Sequence, residues 1–221
     1  FSETIDTGTE VVYQPVSANY ESVTLAYLQK NNAGTNQLHQ IAGARGSASF
    51  SLAKESIPTI SFKFIGFYER PVDVATITAD HSAFADPLPI SNAQTSLTIG
   101  AYNPIAESIS FDMASDVKAR NVINQNEVIV TDRAPTGSTS VQAPDVSTKD
   151  FFKEVESHDG ITLQALQLIH GTTAGNIVQI DAPKVQLTTI AFQDGDGELH
   201  YNLGLSLVPN AGDDEFILTI K

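Results

Sequence analysis

Cysteine and tryptophan are both missing from this 221-residue chain, methionine occurs once, and cations are scarce, with 12 lysines and arginines in all. Without cysteine there is no disulfide framework, no thiolate metal site and no cysteine nucleophile. Without tryptophan, and with 8% aromatics overall, an aromatic-lined sugar site or base-stacking platform has little to be built from. No apolar run approaches the roughly 18 residues that a membrane-spanning helix requires. The few cations face 26 carboxylates, for a net charge of −14. The excess is uneven: in residues 150–221, 3 cations stand against 11 carboxylates. Such a surface gains no counterion release on nucleic acid, which excludes a tight DNA or RNA binder. A wall past which DNA slides without sticking is still allowed. The chain opens on Phe1 with neither an initiator methionine nor a basic, apolar leader, and is expected to continue upstream in its native form.

What is present suits a folded β-protein. Hydrophobic residues make up 41% and charged residues 17%, ordinary for a chain that buries a core. Extended patterns dominate: 11–16, 22–28, 46–52, 60–67, 95–99, 107–113, 127–132 and 138–143 all read as strands. Ile60, Phe62 and Phe64 share one strand face, with Ser61 and Lys63 on the other. Lys54–Pro58 is a compact turn joining that strand to 46–52, since Pro58 lacks the N–H that a central ladder needs. The polar stretch Gln29–Gln37 reads as a long hairpin loop. Glu69–Gln94, with Pro71, Pro87 and Pro89, reads as a long loop or arm, and loops of that length are functional or disordered.

One segment has helical spacing. Ser147 and Thr148 are placed to cap a short helix at about 148–157, burying Phe151, Phe152 and Val155 and turning Lys149, Lys153, Glu154 and Glu156 to water. His158-Asp159-Gly160 would end it, and so short a helix must dock on a sheet to persist. Strands return at 162–170, 177–182, 185–192, 199–208 and 215–220. In the fourth of these, Leu199, Tyr201, Leu203, Leu205 and Leu207 alternate with small or polar residues. The expected fold is all-β, a sandwich or barrel with one packed helix, formed as a single domain over 1–221.

Candidates for chemistry are few. Asp194, Asp196 and Glu198 in Asp-Gly-Asp-Gly-Glu offer three carboxylates to a cation. The same Asp-Gly pair is also a favoured hairpin turn, and the turn is the stronger reading. His39, His81, His158, His170 and His200 lack any zinc-site spacing, and His170 is read as a surface or capping residue. No G-x-S-x-G elbow supports a serine triad. Gly43–Gly46 and Gly171–Gly175 lack the following Lys-Ser/Thr and helix of a phosphate cradle and read as turns. Asp213-Asp214-Glu215 reads as a solvated turn. Arg45, Arg70 and Arg133, each beside a turn, are candidates for pairing with carboxylates across an interface. No catalytic, cofactor or metal residue is assigned.

Several segments together resemble the major tail tube proteins of long-tailed, siphovirus-type bacteriophages. The closest are Leu38–Leu52 (LHQIAGARGSASFSL) and Ile57–Tyr68 (IPTISFKFIGFY). They are joined by Val130–Gly137, Lys149–Phe152, Asn176–Ala182, Asp196-Gly197 and Leu207–Glu215. The resemblance implies a β-sandwich or barrel with a flanking helix, six copies closing into a ring, and rings stacking into a hollow tube for DNA. It also implies a structural virion protein assembled in the host cytoplasm, with no cofactor and no membrane. Its partners would be further copies of itself, a tape-measure protein, and terminator or baseplate components. Family members usually carry residues before the segment that opens here. On this reading, Gln29–Ala42 and Glu69–Gln94 are the candidate arms.

Three alternatives stay open at this level. A β-sandwich binding or adhesin module of a virus tail or cell surface would need exposed aromatics, and the missing tryptophan weighs against it. A contractile-tail or type VI secretion tube subunit would share the general fold without these motifs. A metal-assisted hydrolase would have to be built on Asp194, Asp196 and Glu198.

Overall fold

The computed structural model describes every residue except 31, 33, 76, 77, 79, 83, 85, 157 and 159. In chain order its strands are β1 (Ser2–Asp6), β2 (Glu10–Gln14), β3 (Val23–Lys30), β4 (Asn36–Ala53), β5 (Thr59–Val74), β6 (Thr95–Ile99) and β7 (Ala106–Asp112). Then come β8 (Ser115–Val122), β9 (Gln125–Arg133), β10 (Thr136–Gln142), the helix α1 (Phe151–Val155), β11 (Leu163–His170), β12 (Val178–Gly195), β13 (Glu198–Leu207) and β14 (Ile217–Ile220). Every pairing is antiparallel. The fold is all-β with one small helix, as the alternating sequence patterns require.

Two long strands organise the architecture. The first half of β12 lies between β11 and β14, in a layer ordered β6-β11-β12-β14-β2-β1. Its second half pairs β13 and opens the other layer, β12-β13-β10-β7-β4-β5. One core fills the space between them. Leu97, Ile99, Leu166, Leu168, Ile180 and Ala182 come from the first layer; Phe50, Ile109, Phe111, Val141, Leu203 and Leu205 come from the second. Sheets fold over in this way where a strand bends through a bulge. Here the bend sits at Pro183 and Lys184, two residues that oppose a single residue of β11.

That bulge explains a difference from the sequence reading. Residues 177–182 and 185–192 were expected as separate strands because Pro183 lies between them, yet β12 runs through. Pro183 falls after the ladder with β14 ends at Asp181 and before the ladder with β13 starts at Val185. No partner there asks for its missing N–H.

β4 shows the same device. Gly43-Ala44-Arg45-Gly46 is a bulge inside β4, not a turn between strands. Register shifts occur there against both β3 and β5, and Gly43 has φ 59°. A Cβ on Gly66, directly beside the bulge, would overlap the Ile41 and Ala44 side chains. Beyond this point β3, the first part of β4 and the last part of β5 continue away from the sandwich as a three-stranded arm. The arm overturns two loop expectations. Residues 29–30 and 36–42 belong to β3 and β4, so the connection spans only 31–35. Residues 69–74 belong to β5, with Pro71 accommodated at a second bulge opposite His39. The rest of the expected 69–94 loop lacks strand structure where it is described, and 76, 77, 79, 83 and 85 lie outside the described residues. β8 was not read from the sequence; it forms a separate two-stranded sheet with β9.

The helix is shorter than expected, and its cap is Asp150, not Ser147 or Thr148. The Asp150 carboxylate accepts the Lys153 N–H at 3.0 Å. Phe151 is fully buried and Phe152 and Val155 pack beside it, as the helical spacing implied. Lys149 and Glu154 are not in water: they pair at 2.6 Å, and the lysine also donates to Gln164 Oε1 at 2.9 Å. The expected end over 157–160 falls partly outside the described residues. Asp150→Ala is expected to lower unfolding free energy by about 0.5–2 kcal/mol in urea titration, the usual cost of losing an N-cap.

Candidate assembly surfaces

Among the described residues β5 is bonded on one side only, by β4. Directly opposed residues of an antiparallel pair point to the same face of the sheet. Phe62 faces Ala48 and Ile60 faces Phe50, both buried core residues. Phe62 is nevertheless 64% exposed and Ile60 47%. The core face of the sheet therefore runs past the layer that covers it. The Phe62 and Phe64 rings stack at 6.0 Å along this uncovered strip. On the arm the strip continues through Tyr68, opposite Ile41, and through Tyr27, opposite His39, their rings 6.3 Å apart. Edge strands are normally shielded by charge, and between Thr59 and Tyr68 the only charge is Lys63. An apolar strip on an open edge is a candidate contact surface.

The ionic groups serve mainly to hold segments together. Arg133, at the junction of β9 and β10, bonds Glu215 through Nε and Asp213 through Nη2. It also bonds the Val16 carbonyl through Nη1 at 2.5 Å and Ser17 Oγ at 3.3 Å. Glu215 is only 3% exposed, so the expected solvated turn at 213–215 is half an ion-pair cluster. The turn chemistry falls to Asp214, which accepts the Asn210 and Ala211 N–H groups. A hydrogen bond from Ser17 and the Arg133 guanidinium hold the Asp213 carboxyl below its ordinary range. Arg45 bonds backbone carbonyls, not carboxylates, joining Tyr20 and Val128 across the base of β9. Both arginines are thus satisfied within the chain instead of across an interface. Arg70 has no ion pair among the described residues.

The Asp-Gly-Asp-Gly-Glu segment is the β12–β13 turn. Asp196 and Gly197 take φ 53° and 88°, and Asp194 Oδ1 accepts the Gly197 N–H at 2.9 Å. Asp196 reaches Lys54 at 3.3 Å and Glu198 accepts from Gln142 at 2.6 Å, so the three carboxylates serve three different partners. Among the described residues no group of three histidines or carboxylates is arranged to hold a metal ion. His170 is buried, contrary to the surface reading. Its Nε2 donates to the Leu88 carbonyl at 3.1 Å, leaving Nδ1 to accept from the Thr95 hydroxyl at 2.8 Å. His200 is buried with Nδ1 3.3 Å from Glu107, whose other oxygen pairs with Lys54. His39 lies on the arm, and His81 and His158 are exposed.

A cleft of about 700 Å³ between β6 and β7 has a floor of Leu52, Leu97, Ile109 and Leu168. Its only charged lining residues, Lys54 and Glu107, are bonded to each other. Of the hydroxyls that line it, that of Thr95 is bonded to the buried His170. What the molecule offers is surface: a long free edge, an uncovered core face and a projecting arm. These are the candidate contact surfaces of an all-β protein.

The comparison with protein families agrees. The profile of the phage tail tube protein family matches residues 4–215, nearly the whole chain, and the chain belongs to that family. It is therefore a structural component of a phage virion and not an enzyme. No match to an individual curated protein accompanies this finding.

The open face on β5 is the feature that sequence reasoning did not reach. Alternation in Ile-Ser-Phe-Lys-Phe shows which residues share a face, but not that the covering layer stops short of it. The sequence places candidate arms at Gln29–Ala42 and Glu69–Gln94; it does not show that they hold strands, because residues 36–40 and 69–73 are mostly polar.

Proposed function

We propose that copies of this chain close into hexameric rings, and that the rings stack into the hollow tail tube through which phage DNA passes. The observation that carries the reading is the uncovered core face beside the free edge of β5. A lone subunit would leave that strip in water, whereas a neighbour would complete both the ladder and the core. A net charge of −14 suits a conduit, because a wall of the same sign as DNA gives the moving polymer no place to adhere. The arm formed by β3, β4 and β5 is a means of reaching the next subunit or ring. Assembly would take place in the host cytoplasm, with a tape-measure protein inside the tube and terminator and baseplate components at its ends.

Negative-stain electron microscopy across a concentration series tests this. Hollow tubes, or rings of six, are expected as concentration rises, without measurable DNA retention at physiological salt. A protein that remains monomeric at every concentration, with a melting temperature independent of concentration, would rule the proposal out.

A further inference from the structure

The layer that contains β5 has a second edge without a described strand partner, along β12, against which α1 also packs. Strand β11 accompanies β12 only as far as Gln186, and from Leu187 to Gly195 no described strand pairs the outer side of β12. The two unpaired edges are opposite ends of one sheet of six strands, β12-β13-β10-β7-β4-β5. All five junctions in it are antiparallel, so β12 and β5 run in opposite directions. Rotation about a ring axis preserves the direction of each strand along that axis. A neighbour's β12 brought beside β5 therefore meets it antiparallel, and the alternation continues unbroken from copy to copy. With an odd number of strands the junction would be parallel.

Length and face agree as well. The free part of β12 is nine residues, 187–195, and the uncovered strip of β5 from Ile60 to Tyr68 is also nine. Phe192 faces Tyr201, a core residue, and so lies on the core side of the sheet, as Phe62 does. It is 69% exposed, although its ring touches those of Phe152 and Tyr201 at 6.3 and 5.6 Å. An aromatic cluster thus stops at one edge of the sheet, and a stacked aromatic pair begins at the other. The charges are opposite: Lys63 stands alone on the first ten residues of β5, while Asp194, Asp196 and Glu198 close the far end of β12 and its turn.

We propose that, within the ring read above, β5 of each copy pairs antiparallel with residues 187–195 of β12 in the next. In this register Phe62 lies beside Phe192, Phe64 beside Ile190, and Lys63 beside Ala191. Both ends of this six-stranded layer are then paired in the closed ring, and Phe62 and Phe64 extend the Phe152–Phe192–Tyr201 cluster across the boundary. The proposal rests on the ring-and-tube reading and adds to it which two edges meet, in what direction and in what register.

The absence of cysteine makes a clean test available. Lys63 and Ala191 point away from the core, opposite Ser47 and Asn202, so cysteines there leave the interior untouched. In the full chain, oxidised K63C/A191C tubes are expected to run on a non-reducing gel as a ladder of chain multiples, while neither single variant does so. F62D and F192D are each expected to keep the monomer's thermal transition and to abolish assembly. Tubes from the double variant without a ladder would overturn the edge pairing and leave the tube reading standing. So would disulfide dimers of K63C alone, which would signal β5 meeting β5. Failure of the unaltered chain to assemble at any concentration would overturn both.

Discussion

Replacing Arg133 with methionine is expected to cost about 3–5 kcal/mol of folding stability, read as a fall in the urea midpoint. That is the range for removing one partner of a buried ion pair. Both carboxylates would remain. Glu215 is almost wholly enclosed, with Oε2 already lacking a hydrogen-bond partner, and Asp213 lies beside it. The guanidinium is also the only contact described that ties Val16 and Ser17 to the β9–β10 junction through a side chain. Adding Glu215→Gln to the methionine variant is expected to recover part of the loss, because the stranded charge is then gone. A loss below about 1 kcal/mol, the range of exposed pairs, would show that the cluster contributes little. Acid should have a related effect. Because the folded state holds the Asp213 carboxyl below its ordinary value, its contribution is complete above that value and disappears as pH falls through the lowered one. The methionine variant should therefore lose less of its remaining stability on acidification than the parent.

Phe216→Ala is expected to be about as damaging, near 3–5 kcal/mol, the range for truncating a buried phenylalanine to a cavity. Phe216 is fully buried just before β14. Its ring lies 4.8 Å from that of Phe50, 5.7 Å from Phe111 and 6.4 Å from Phe1. It is the point at which the layer holding β14, β2 and β1 is pinned to the layer holding β4 and β7. Beyond the global loss, hydrogen exchange in β1, β2 and β14 should accelerate more than in β13. Uniform acceleration across both layers would show that the ring is only one core residue among many. Phe216→Leu, which keeps most of the volume, should recover over half of the loss.

Much of the sandwich could be read in advance because its strands have one wet face and one dry face. β13 is the clearest case: Tyr201, Leu203, Leu205 and Leu207 are buried in alternation as expected, and only Leu199, next to the turn, is exposed. The β4–β5 turn at Lys54–Pro58 and the Asp196-Gly197 hairpin also follow from local chemistry, since proline and positive φ restrict the backbone whatever surrounds it. What could not be read depends on partners distant in sequence. Pro183 looked like a strand break because the sequence does not show that both neighbouring ladders skip it. Arg133 looked like an interface residue because its carboxylates lie about eighty positions away. β8 escaped notice because Lys118, Arg120 and Asn121 give it little apolar periodicity, and its pairing with β9 is what makes it a strand. The candidate contact surface was half legible: the shared face of Ile60, Phe62 and Phe64 was clear, and its exposure was not.

The paired bulges around Gly43 have a mechanical consequence. The arm is not hung on a flexible linker; it grows from the same strand that lines the core, so its direction is inherited from the body through one short bent section. About seven residues of β4 lie beyond that bend, a reach of roughly 23 Å at about 3.3 Å per residue. At such a length a tilt of a few degrees at the bend moves the tip by an ångström or more, while the hydrogen-bonded ladders on either side stay whole. A filament whose subunits share this articulation can curve by spreading small angular adjustments over many identical joints, without opening a gap at any one of them.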